Sequence, residues 1–116
     1  MAFIPVWTNE AGANYRELEA AARESLKRRK INKQAKASKA EGLFKQTRKC
    51  IELLLDNPRH PGLSTHEYSS LESPYNPKEK VFEAYVQNKT PGAYRVFWCY
   101  GPKRGEITLI AITPHP

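Results

Sequence analysis

Arg95 sits inside Tyr94-Arg-Val-Phe-Trp-Cys-Tyr100, a run of aromatic and β-branched residues that predicts a buried strand. A charge in such a strand must face an open side of the sheet or meet a partner. A turn, Gly101-Pro-Lys-Arg-Gly105, leads into a second apolar strand, Glu106 to Ile112, and then to His115. The hairpin therefore brings an arginine and a histidine onto neighbouring strands. On the strand before it, Phe82, Ala84 and Val86 share one face, and Val81, Glu83, Tyr85 and Gln87 share the other. These residue types suit phosphate chemistry. An arginine fork donates two bonds to phosphate oxygens and keeps its charge. A histidine exchanges a proton near neutrality. A carboxylate such as Glu83 or Glu67 can act as base, and Tyr85 can stack on a nucleobase or hold a hydroxyl.

Each residue also has a plainer reading. Arg95 can pair with Glu83 across the strands. His115, in a Pro-His-Pro terminus, can be a frayed end. His60 and His66 fall in or beside a loop, where solvent exposure is the ordinary fate. Three histidines so scattered lack metal-ligand spacing, so no metal and no cofactor is expected.

The positioning elements follow from periodicity. Phe3 to Trp7 predicts a short strand, and Pro5, which cannot donate to a ladder, puts it at an edge or a bulge. Thr8 or Asn9 caps a helix whose apolar stripe is Ala11, Tyr15, Leu18, Ala22 and Leu26. Beyond Leu26 the stripe fades into lysines and arginines that point all round. Ser38-Lys-Ala-Glu41 has the capping-box pattern and opens a second helix. Phe44, Thr47, Ile51, Leu54 and Leu55 give that helix an apolar face, and Asn57-Pro58 ends it. Thr65 to Leu71 alternates weakly as a strand, and Glu72 to Lys80 is a loop. The result is one α+β domain over residues 1–116. Its order is β-α-α-β-β-β, an antiparallel sheet with a helix hairpin packed on one face. A five-residue turn pairs Tyr100 with Glu106, which sets Arg95 opposite Ala111. His115 then falls about four residues further along, near the turn holding Lys89 and Gly92.

Totals bound the function class. The 116 residues hold nineteen Lys and Arg against twelve Asp and Glu, a net charge of +7. Residues 23–49 carry eleven of those cations and two of the acids, so the rest of the chain is slightly acidic. A local basic excess of this kind is the footprint of a nucleic-acid contact, with Lys27, Arg28, Arg29, Lys30, Lys33 and Lys36 as candidates; a solvated helix face fits the charge equally well. No apolar run approaches the roughly 20 residues of a membrane span, and no signal peptide opens the chain. Cys50 and Cys99 lie in apolar segments and read as buried free thiols, which points to the cytoplasm.

A short strand, a helix hairpin ending in Asp56-Asn57-Pro58, the strand Tyr94-Arg-Val-x-x-x-Tyr100, and the closing Ile107-x-Leu-Ile-x-Ile112 strand ending in a histidine together resemble the RelE/ParE superfamily of bacterial toxins. The resemblance spans nearly the whole chain as element order, with its specific motif between residues 82 and 115. It implies the toxin of a type II toxin-antitoxin pair, neutralised by a cognate antitoxin protein. One branch consists of metal-free endoribonucleases, mRNA interferases that cut messenger RNA on the ribosome. In that branch Arg95 would contact the scissile phosphate and His115 would supply a further catalytic group. The other branch, ParE-like, binds DNA gyrase without catalysis, and an inactive RNA-binding relative is a third outcome. Lysines often stand where this chain has Glu83 and Tyr85, which brings it closer to members using a carboxylate and a histidine.

Overall fold

The computed structural model describes residues 2–33, 36–88 and 90–115. The predicted turn residue Lys89 and the terminal Pro116 lie outside them. Strand β1 (Ile4–Trp7) is followed by helices α1 (Asn9–Ile31) and α2 (Lys39–Asp56), then by β2 (His66–Glu67), β3 (Phe82–Tyr85), β4 (Tyr94–Tyr100) and β5 (Glu106–Pro114). The sheet order is β1-β5-β4-β3-β2. The expected β-α-α-β-β-β order and α+β class are present, with two differences. The first strand runs parallel to the last, so the sheet is mixed rather than wholly antiparallel. The predicted Thr65–Leu71 strand shrinks to two residues on the β3 edge, although Tyr68 N–H still donates to Val81 O at 2.7 Å.

Both helices begin where their caps predict. The Thr8 hydroxyl accepts from Ala11 N–H and donates to Ile110 O at 2.7 Å, tying the start of α1 to β5. Asn14 Oδ1 adds a bond from Ile112 N–H at 2.9 Å. The stripes of both helices cover one sheet face. Ala11, Cys50, Ile51 and Leu54 pack there with Ala84, Val96, Trp98, Ile107, Leu109 and Ile112. Trp98 is 1% exposed and stacks on Phe82 with ring centres 4.8 Å apart. The other face carries a smaller cluster of Val81, Phe97, Cys99, Ile110 and Ala111, with Tyr68 against it. The loop after β2 covers the far end of this face, where Tyr75 Oη meets Thr108 Oγ1 at 2.7 Å. Both cysteines are buried and free, and burial pushes the Cys50 thiol up to about 12.

The far end of the helix hairpin is held by polar contacts. Ser38 and Glu41 form the full capping box. Glu41 also accepts from Arg29 at 2.8 Å and from Ser25, which itself bonds the Ser38 hydroxyl. The Arg29 guanidinium, first, and the Ser38 backbone N–H then hold the Glu41 carboxyl down from 4.5 to about 2. A depressed carboxyl stabilises the fold above its unfolded value, and that contribution disappears as pH falls through the folded value. Amide exchange around Ser38 and Glu41 should therefore quicken as pH drops from about 4.5 towards 2, after correction for intrinsic rates. The Glu41→Gln protein should lack that dependence; if its exchange profile matches the wild type, the ion pair does not hold the hairpin.

Candidate active site

The register of β4 and β5 decides where His115 lies. Tyr100 pairs with Ile107 rather than with Glu106, and a bulge at Phe97/Trp98 makes Ile110 an extra residue. Arg95 consequently faces Thr113, two residues beyond the expected Ala111. Pairing continues past Pro114, with His115 N–H donating to Ala93 O at 2.8 Å. His115 is thus two residues past the partner of Arg95, not four, and its end of the chain is anchored rather than frayed.

On the face away from the helices, the sheet gathers a connected polar cluster. Glu83 is only 2% exposed. His115 Nδ1 lies 3.2 Å from its Oε2, and His66 Nε2 lies 2.5 Å from its Oε1. A carboxylate removed from water must have such partners. The His66 ring stands edge-on to Tyr85 at 5.6 Å, and the Tyr85 ring lies under the Arg95 guanidinium, 3.6 Å from its carbon. Tyr68 lies beside both Phe97 and His115.

Arg95 is less open than its strand pattern suggests. It is 7% exposed, and its Nη1 donates to Gln87 O at 2.7 Å and Tyr94 O at 3.1 Å. Its Nε is buried with no bonding partner among the described residues. The cross-strand partner of Arg95 is Tyr85, while Glu83 stands opposite Phe97, so the expected Arg95–Glu83 pair is replaced by a cation over an aromatic ring.

Two other expectations change. Glu67 pairs in register with Phe82, which puts it on the helix side of the sheet, 3.7 Å from Lys80 and away from the Glu83 cluster. Arg29 turns inward to Glu41 instead of outward with its basic neighbours. Lys27, Arg28, Lys30, Lys33 and Lys36 are exposed. His66 is the residue that sequence reasoning passed over. Only its pairing with Glu83 on the two-residue β2 reveals it, and weak alternation gave little hint of that pairing.

No family model matches the sequence, and no curated protein matches it. Solved structures do. A YoeB/ParE toxin from Agrobacterium tumefaciens superposes with a TM-score of 0.59 at 9% identity, covering 97% of this chain and 98% of that one. A YoeB dimer from Staphylococcus aureus gives 0.60 at 9% identity, covering the whole of both chains. The chain has the YoeB/ParE toxin fold. On that fold, the polar cluster occupies the sheet face opposite the helix hairpin, at the β2 edge and the end of β5.

Proposed function

We propose that this protein is the toxin of a toxin-antitoxin pair and an endoribonuclease that cuts ribosome-bound messenger RNA. The observation that carries the reading is His115. Its Nδ1 is held by a buried carboxylate, its Nε2 is left to meet a substrate, and it shares a sheet face with Arg95. In the reaction the substrate's 2′-oxygen attacks the adjacent phosphorus and the bond from phosphorus to the 5′-oxygen breaks. The products are a 2′,3′-cyclic phosphate and a 5′-hydroxyl. His115 acts from its imidazolium form: Nε2 gives its proton to the departing 5′-oxygen, leaving the ring with its hydrogen on Nδ1, and the 2′-hydroxyl proton leaves to water. Nη2 of Arg95 is not committed to carbonyls and would meet the phosphate, where charge builds, while Nε lies buried behind it. Both Glu83 oxygens are already held by imidazoles, so Glu83 orients His115 rather than serving as the base.

A second reading, a ParE-like toxin that binds gyrase or a relative that binds RNA without cutting it, draws on the burial of Arg95. Inducing the protein in a bacterium without its antitoxin separates these. Cleavage of translated messages within codons supports the ribonuclease. Loss of plasmid supercoiling with intact messages supports the gyrase binder.

The basic end of the hairpin is the natural RNA or ribosome contact under this reading. Replacing Lys27, Arg28, Lys30, Lys33 and Lys36 with alanine should weaken binding and flatten its salt dependence by about 0.7 to 0.9 in log–log slope for each phosphate no longer neutralised. A slope equal to the wild type would make these residues a solvated face only. Arg29→Ala should instead loosen the helix hairpin, because its charge is spent on Glu41.

A further inference from the structure

We propose that His66 is a positioning residue for His115, acting through Glu83; its effect on cleavage rests on the ribonuclease reading. Three contacts lie in series. His66 Nδ1 is 3.0 Å from Ser64 O, His66 Nε2 is 2.5 Å from Glu83 Oε1, and Glu83 Oε2 is 3.2 Å from His115 Nδ1. A carbonyl only accepts, so His66 Nδ1 carries a hydrogen. The two contacts of Glu83 each need a hydrogen, and one carboxyl group supplies at most one. At least one imidazole therefore donates. The shorter contact is the one to His66, and the hydrogen of that contact lies at Oε1. Oε2 is then left as an acceptor, and His115 must present Nδ1–H to it. That fixes His115 in the Nδ1–H tautomer and makes Nε2 the atom that exchanges protons.

His66 has the geometry for this task and for little else. Both its ring nitrogens face acceptors, so neither is open to a substrate. Its ring is braced edge-on by Tyr85, the same ring that carries the Arg95 guanidinium. The anchored end of the series is thus linked to the phosphate-binding arginine, and the reactive end to His115. Without His66, Glu83 at 2% exposure would lose one of its two partners. It would then take up the hydrogen that His115 Nδ1 now donates, or turn away from it.

The test is nitrogen-15 NMR of the histidine rings in the full chain, at a pH where the imidazoles are neutral. His60 is an internal reference of opposite kind, because its Nδ1 accepts from Gly62 N–H at 2.9 Å and so bears no hydrogen. Wild-type His115 should show the Nδ1–H tautomer. His66→Ala should shift it towards Nε2–H and slow cleavage without weakening ribosome binding. His66→Gln keeps a donor near Nε2 and should recover part of both effects. An Nε2–H tautomer at His115 in the wild type would overturn the proposal without any variant. An unchanged tautomer in His66→Ala would do the same. The Nδ1–H tautomer and its shift in a protein that cuts no RNA would uphold the positioning chain and remove the ribonuclease instead.

Discussion

Arg95→Ala should abolish toxicity in cells and slow ribosome-dependent cleavage by about 10²- to 10³-fold, the usual effect of removing one preorganised donor to a developing charge. The reason lies in how the side chain is held. Two backbone carbonyls fix Nη1 and the Tyr85 ring lies against the guanidinium, so the charge is held in place before any substrate arrives. Burial without a partner at Nε is itself a cost to the fold. The same contacts mean the variant is not neutral for the fold. Removing the donor to Gln87 O and Tyr94 O should cost about 1 to 3 kcal/mol, offset in part because the orphaned Nε disappears with it. Thermal melting and cleavage must therefore be measured together. Arg95→Lys sharpens the comparison: it keeps the charge, but a lysine cannot hold the carbonyls and present a fork to phosphate at once. Full cleavage by a folded Arg95→Ala protein would remove arginine from the site.

The helices were legible because their signals are local. The cap at Thr8, the box at Ser38–Glu41 and the stop at Asn57-Pro58 all act within one turn; both helices begin at those caps, and the second ends at that stop. The faces of β3 were legible for the same reason, since alternation assigns each side chain to a side. Register was not. It depends on which residues meet across the hairpin, and Leu109-Ile110-Ala111-Ile112 is apolar throughout, so nothing in it marks Ile110 as the bulge. That one extra residue, with the turn pairing Tyr100 to Ile107, moved the partner of Arg95 from Ala111 to Thr113. The consequences run through the whole site. His115 came within reach of the cluster; the separate register of β3 on β4 set Arg95 against Tyr85 instead of Glu83. The clustering of His66 with Glu83 was illegible for a further reason: it depends on a two-residue edge strand, too short for any period to show.

His115→Gln should lower the cleavage rate by about two to four orders of magnitude, the usual worth of a general acid, with little change in ribosome or RNA binding. On the ribonuclease reading the imidazole does two jobs through two nitrogens. Nδ1 is engaged by Glu83, which fixes the ring, and Nε2 faces away from that bond. A glutamine amide can occupy the position of Nε2 but cannot give up a proton near neutrality. His115→Asn instead keeps a donor near the Nδ1 position, so Glu83 stays partnered, while the outer nitrogen is deleted. The two variants should lose cleavage alike if proton exchange at Nε2 is what matters, since they preserve different halves of the ring. Stability should fall less in the asparagine variant, because it alone keeps the second partner, beside His66, of a carboxylate that is 2% exposed. The side chain of His115 is 43% exposed, so neither change disturbs the main core. Single-turnover cleavage on preformed ribosome complexes separates the chemical step from binding. A His115→Gln protein that cuts at the wild-type rate, or one whose drop in activity is matched by a drop in binding, would show that His115 does not transfer the proton.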